Sequence, residues 1–269
     1  MNPFKELAIR SLSQKVLAPR SQRVVLLYHD VSDESSPQYS ELYSTTPARY
    51  KQQIEWLTRH YRIVSLDEIV SPVFVARGKP LAAVTFDDGF QSVQDTVFPW
   101  MFAKGLPFAV FINGLAVAEN HLKYSEDYPD LKTTFDERVY LTAPDVRSLA
   151  NHGIIIGNHC TSHRALPSCS DSDLNLEIVG NRDFLQELIG KSIRHLAIPY
   201  GKVRHYNDRV LNVCRSSGHR YIHSSNPMAF NAKDLVNSKF LIPRIGLTNH
   251  SVSQLTFLVN RPMFMRIDI

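Results

Sequence analysis

Two adjacent carboxylates, Asp87 and Asp88, end the apolar run Leu81-Ala82-Ala83-Val84-Thr85-Phe86 and are followed at once by Gly89. Such a run has the length of a strand buried on both faces, and the glycine lets the chain leave it sharply. Two carboxylates at a buried strand end repel one another and lose hydration, so they need a cation, a metal or donated hydrogen bonds. The alternative is an Asp-Asp-Gly turn whose side chains face water. Candidate partners stand in Gly153-Ile154-Ile155-Ile156-Gly157-Asn158-His159-Cys160-Thr161-Ser162-His163, a second β-branched run that ends in polar residues. His159 and His163, four apart, can present two imidazoles to one side of a helix or tight loop. With one Asp they make a two-histidine, one-carboxylate set that leaves positions open for water and substrate, which suits catalysis rather than structure. The chain has 11 histidines, so a chance pair of core or surface residues stays open as the alternative. A third stretch, Leu196-Ala197-Ile198-Pro199-Tyr200-Gly201, ends an apolar run in a sharp bend that an ordinary turn would also produce.

In this order, Thr85-Phe86-Asp87-Asp88-Gly89, Asn158-His159 with His163, and Pro199-Tyr200-Gly201 resemble the motifs of the polysaccharide deacetylases, carbohydrate esterases that include chitin-oligosaccharide and peptidoglycan deacetylases. The likeness continues upstream in Val24-Val25-Leu26-Leu27-Tyr28-His29-Asp30-Val31 and downstream in Leu241-Ile242-Pro243-Arg244-Ile245, so it spans most of residues 23 to 250. The resemblance implies an α/β fold, a distorted and incomplete (β/α) barrel. It also implies a divalent metal, usually zinc, held by Asp88, His159 and His163, with Asp87 as general base. The backbone N–H of Tyr200 is then the donor that stabilises the oxyanion. The implied reaction removes an N-acetyl group from an amino sugar in a glycan or glycan precursor. An O-acetyl or N-formyl group on a sugar is the nearest competitor, since the same activated water could attack either. Outside the enzymes, the alternative is a catalytically idle carbohydrate-binding relative.

Two departures from the family pattern matter. Many members carry an Arg two residues before the Pro of the third motif, where it orients the base; here the position is Ala197. Members that lack it tend to carry a Pro-Arg-Ile segment near their end, which makes Arg244 the expected substitute. The late Leu-x-His that supplies the acid elsewhere is also absent, and His250 has the wrong spacing. By likeness to extracellular-matrix polysaccharide deacetylases with a similar start, His29 becomes the candidate acid; the alternative is a histidine merely hydrogen-bonded in the barrel mouth. Cys160 lies between the two histidines and is expected to point away from the ion and pack.

The elements that must position these residues follow from pattern. A length of 269 residues with 43% hydrophobic composition suits one barrel-like domain. Strands are expected near 23–28, 61–65, 81–86, 107–112, 153–157, 194–198, 220–223 and 240–245. Helices are expected near 47–60, 92–104, 143–151, 173–189 and 206–217. That alternation argues for parallel strands with helices outside and chemistry at the strand ends. We expect a catalytic domain over 23–269 preceded by a helical extension over 1–22. In the extension Phe4, Leu7, Ala8, Leu12 and Val16 share a face near Lys5, Arg10, Lys15 and Arg20. That face suits peripheral contact with a membrane surface, or closure of the barrel's bottom. Residues 116–140, with Glu119, Glu126, Asp127 and Asp130, read as a long loop, either lining a substrate groove or forming a solvated insertion.

Three cysteines without disulfide-like spacing, no secretion leader and no membrane-spanning stretch lead us to expect a cytoplasmic protein, at the inner face of the membrane if the extension docks there. A net charge of +4 with no nucleic-acid motif argues against a nucleic-acid partner and leaves an N-acetylated carbohydrate as the expected one.

Overall fold

The apolar runs that flank the first two motifs form the centre of a sheet. In the computed structural model, which describes residues 22–74, 78–120, 139–237 and 239–260, strands β1 (Arg23–Tyr28) and β5 (Leu81–Phe86) are buried at every position. They pair in parallel, from Arg23 opposite Leu81 to Tyr28 opposite Phe86. Because both strands end at the same level, His29 and the Asp87-Asp88 pair emerge side by side. The amphipathic segment of residues 4–17, and residues 121–138 of the expected loop, lie outside the described residues.

Further along the chain come β2 (Asp30–Val31), β3 (Ser44–Thr45), helix α1 (Pro47–His60), β4 (Arg62–Ile63) and the single turn α2 (Leu66–Ile69). After β5 follow α3 (Phe98–Ala103), β6 (Ala109–Ile112), α4 (Gly114–Glu119), α5 (Ala143–Asn151) and β7 (Ile155–Asn158). The chain continues through α6 (Asp171–Asn175), α7 (Asn181–Ile189), β8 (His195–Ala197), α8 (Asp208–Ser216), β9 (Tyr221–His223), β10 (Ile245–Gly246) and α9 (Val252–Asn260). Helix starts follow local capping chemistry. The Thr46 hydroxyl accepts from the Arg49 N–H with Pro47 in the first turn, and Thr142 and Asp145 cap each other's backbone before α5.

The sheet order is β10-β1-β5-β6-β7-β8-β9, with β4 beside the start of β5, and every pair is parallel. Parallel neighbours need crossovers, which α3, α5, α7 and α8 supply. The sheet curls until its two edges nearly meet. At that seam Ile242 bridges His223 of β9, and three residues later Ile245 pairs with Leu26 of β1. The strand expected over 240–245 is therefore split. Pro243 has no N–H to continue a ladder, so residues 242–246 cross from one edge to the other. The result is the expected α/β architecture, a curled and mostly parallel sheet forming a distorted, incomplete barrel.

Several elements were not anticipated. The turn α2 is too short for a periodic signal, and α9 is nearly continuous in apolar residues through Leu255, Phe257, Leu258 and Val259, which blurs its period. Helix α4 occupies the beginning of the expected 116–140 loop. Among the described residues no helix is long and apolar enough to cross a membrane.

Alternation along β1 divides the core. Val24, Leu26 and Tyr28 pack outward with Ile54 and Leu57 of α1, while Val25 joins Ala83, Ala109, Phe111 and Ala197 in the barrel interior. Three alanines there leave room for the Phe111 ring, and Gly157 beneath it is a packing requirement. A Cβ at Gly157 would stand 2.4 Å from Phe111 Cδ1. We expect Gly157→Ala to destabilise the fold by about 1–3 kcal/mol through overpacking. Urea unfolding checks this, and a midpoint equal to wild type would mean that the ring moves aside freely.

Candidate active site

Three strand ends deliver the site, and each leaves its strand through backbone geometry that side chains seldom adopt. Of five non-glycine residues with positive φ among the described residues, four belong here: Asp88 at 69°, Cys160 at 65°, His163 at 57° and Tyr200 at 60°. Each such residue costs about 1–3 kcal/mol and persists only where surrounding contacts enforce it. Gly89, at 71°, completes the turn away from β5.

Asp87 is 2% exposed, and its charge is met by Arg244, which is 0% exposed. The two interlock side by side: Nη1 donates to Oδ1 at 2.7 Å and Nη2 to Oδ2 at 2.8 Å. The guanidinium is itself fixed from three sides. Its Nε donates to the Ser224 carbonyl at 3.1 Å, Nη1 reaches Thr85 Oγ1 at 3.4 Å, and Cζ lies 5.0 Å from the Phe111 ring centroid. Burial alone would raise the Asp87 carboxyl, but Arg244 and His159 outweigh it, and the group is held below the usual carboxylate range. The family's usual Arg position, Ala197, contributes its carbonyl instead, which accepts from His159 Nδ1 at 2.8 Å.

That contact fixes the His159 tautomer. With Nδ1 protonated, Nε2 turns its lone pair toward Asp88. Asp88 Oδ1 lies 3.4 Å from His159 Nε2 and 3.5 Å from His163 Nε2, is buried, and has no hydrogen-bond partner. The ligand atoms of Asp88, His159 and His163 all lie within 4.8 Å of one another, the one such cluster among the described residues. A carboxylate oxygen left unsatisfied between two inward-facing imidazole nitrogens fits a divalent cation that takes mixed N and O ligands. In the protein alone the two imidazoles diverge. Burial pushes His163 down to about 4, whereas for His159 the same effect is outweighed by Asp87 and Asp88 together, and its value rises.

His29 and Tyr200 share this mouth. Both line a cavity of about 400 Å³ with Asp87, Asp88, His159 and His163. His29 Nδ1 is buried without a hydrogen-bond partner, and its ring meets Tyr43 edge-on at 5.3 Å. Burial lowers its pKa despite the opposing pull of Asp88 and Asp87. Tyr200 is held by Ser225 Oγ, which donates to its carbonyl at 2.5 Å, and its ring lies 4.5 Å from that of His163. The residues given a catalytic or metal role from sequence, His29, Asp87, Asp88, His159, His163, Tyr200 and Arg244, all line this one cavity. His250 does not: its Nδ1 accepts from the Thr248 N–H at 3.0 Å, outside that lining. Cys160 packs among Leu166, Leu174 and Cys214. Sequence reasoning missed Tyr43, Lys202, Arg204, His205 and Ser225, which also line the cavity. Lys202 to His205 directly follow the Pro-Tyr-Gly bend, and that adjacency was the available signal.

A parallel α/β barrel with its polar cluster at the carboxyl ends of the strands is the architecture of a barrel enzyme. The polysaccharide deacetylase family profile matches residues 75–222, and the chain belongs to that family. It is 20% identical over 209 residues to YxkH of Bacillus subtilis, named for the same family, covering 76% of this chain and 65% of that protein's length. It is 28% identical over 223 residues to the poly-beta-1,6-N-acetyl-D-glucosamine N-deacetylase of Staphylococcus epidermidis, covering 79% of this chain and 71% of the relative. In fold it resembles the Streptococcus pyogenes deacetylase PplD, whose structure was solved with acetate. That match has a TM-score of 0.72 at 16% identity, over 90% of this chain and 99% of the other.

Removing Arg244 leaves Asp87 a buried carboxylate with His159, 3.6 Å away, in place of its two-bond countercharge. We expect Arg244→Met to cost about 3–5 kcal/mol of stability, and Asp87→Asn combined with Arg244→Met to cost less than Arg244→Met alone. Urea unfolding of the two variants checks this, and a double variant no more stable than Arg244→Met would contradict the ion-pair account.

Proposed function

We propose that the chain is a metal-dependent hydrolase that removes an N-acetyl group from an amino sugar in a glycan or glycan precursor. The observation that carries this reading is one cavity holding an Arg-locked carboxylate beside an Asp-His-His cluster whose Asp88 Oδ1 is buried without a hydrogen bond. Family membership supports it, as does the poly-N-acetylglucosamine named for the Staphylococcus relative.

A divalent cation, zinc by preference, held by Asp88, His159 and His163 would supply Lewis acidity, polarising the acyl carbonyl and acidifying a water. The residues of the chain do the rest. Asp87 takes a proton as the water oxygen bonds to the carbonyl carbon, and Arg244 keeps that carboxylate ionised and aimed. The Tyr200 N–H, set by its left-handed backbone, faces the oxyanion that forms. The carbon–nitrogen bond then breaks, and His29 delivers a proton to the leaving nitrogen. Asp87 and His29 line one cavity, and the proton that Asp87 takes from the water balances the one that His29 gives to the nitrogen. The products are acetate and the free amine.

Asp87→Asn is expected to lower kcat by about 10²–10⁴-fold while zinc content stays at the wild-type level, and Asp88→Asn to lower zinc content itself. Acetate release from N-acetylglucosamine oligomers should cease with chelator and return with zinc. If a zinc-loaded preparation releases no acid from any member of an N-acetyl, N-formyl and O-acetyl sugar panel, the enzymatic reading fails.

His29→Ala should slow hydrolysis of an amide substrate far more than that of an activated aryl acetate, whose phenolate leaves without a proton. Equal loss on both substrates, or none on the amide, would remove His29 from the acid role.

A further inference from the structure

The segment that carries both histidines of the cluster has a shape that its own residues do not favour, with Cys160 and His163 both left-handed. Asn113 Nδ2 holds it from one side, donating to the His159 and Cys160 carbonyls, and the π-helical turn Leu176–Gly180 that joins α6 to α7 holds it from another. In such a turn each backbone bond spans one residue more than in an α-helix, which widens the turn, and π-turns are frequent at functional sites. Here three successive carbonyls receive bonds from the histidine segment and the residue before it. Leu176 O accepts from Thr161 Oγ1 at 2.7 Å, Glu177 O from the Thr161 N–H at 3.0 Å, and Ile178 O from Asn158 Nδ2 at 2.8 Å.

The Glu177 side chain completes the grip. Its Oε2 accepts the Ser162 N–H at 2.9 Å, and its Oε1 accepts the Ser162 hydroxyl. Glu177 is 5% exposed, and no cation pairs with it among the described residues. A buried carboxylate is a costly way to secure a serine unless its placement serves something else. Ser162 directly precedes His163, whose Nε2 faces Asp88 at 3.5 Å.

We propose that Glu177 is a positioning residue for the metal-binding histidines. Carried on the π-helical turn, its carboxylate fixes Ser162 and so sets His163 opposite His159 and Asp88, leaving the three ligands spaced for a divalent cation. The proposal rests on the metal-dependent reading above. It concerns how the ligands are held rather than which residues they are.

The test is zinc affinity, measured on folded protein by competition with a chromophoric chelator. Partners that orient metal ligands typically contribute 10–100-fold to affinity, so Glu177→Ala is expected to weaken zinc binding by about that factor. Ser162→Ala should lose less, because its N–H still reaches Glu177. Glu177→Gln should fall between wild type and Glu177→Ala, since its amide can accept only one of the two Ser162 bonds. Ile178→Val, a core change in the same turn, should lower thermal stability without moving zinc affinity. Wild-type affinity in folded Glu177→Ala overturns the proposal, as does an equal loss in Ile178→Val, which would make the effect one of general stability. If Glu177→Ala does not fold, unchanged affinity in both Glu177→Gln and Ser162→Ala overturns it. Wild-type protein that binds no zinc overturns the metal-dependent reading together with this one, whereas zinc-binding wild type with unaffected variants overturns this one alone.

Discussion

The pairing of Asp87 with Arg244 is the interaction on which the site depends. A carboxylate at the buried end of a central strand is tolerable only with a fixed countercharge, and Arg244 supplies it through two short bonds. Having met that electrostatic demand, the ion pair imposes others. The guanidinium sits over the Phe111 ring, whose place leaves no room for a side chain at Gly157, and its Nε must find a carbonyl, which Ser224 provides just beyond β9. One charge balance thus reaches into four strands. It also separates the two acids: both Asp87 oxygens accept from Arg244, whereas Asp88 Oδ1 faces the two imidazole nitrogens at 3.4 and 3.5 Å and accepts no hydrogen bond.

The same logic explains the strain around the cavity. Left-handed backbone stands at Asp88 and Tyr200, two and three residues past the ends of β5 and β8, and at His163 in the loop that follows β7, and all three residues line the cavity. Regular turns would carry them past it. The contacts at these conformations come from a neighbouring loop, as Ser225 does for Tyr200, or from the strand end itself, as Asn158 does for Cys160, whose N–H donates to Asn158 Oδ1 at 2.7 Å. The cavity is therefore built by its surroundings, and its ligands stand ready without being ideal for the chain that bears them.

Much of this was legible in the sequence where a residue type is demanded locally. The run Leu81–Phe86 announces a two-faced buried strand, Thr46-Pro47 announces the start of α1, and the carboxylates and histidines stand at strand ends because that is where a barrel exposes side chains. What stayed hidden depends on distant partners. Glu177 looks like any acidic residue on a helix until the π-turn brings it to Ser162. The split last strand was concealed because Ile242 and Ile245 serve opposite sheet edges. Arg244 was reached only by resemblance, since nothing near it in the chain asks for a buried cation.

The seam of the barrel has a consequence for how the molecule is made. Asp87 and Arg244 are 157 residues apart, and Arg244 directly precedes β10, the last strand in the chain among the described residues. During vectorial synthesis the carboxylate emerges long before its countercharge, so β5 must wait in an incomplete sheet or be protonated, screened or shielded by a chaperone. The Arg244 side of the cavity can be completed only once residues 242–246 have been made and seated between β9 and β1. A nascent chain halted before that point would hold both histidines and both aspartates yet leave Asp87 without its countercharge.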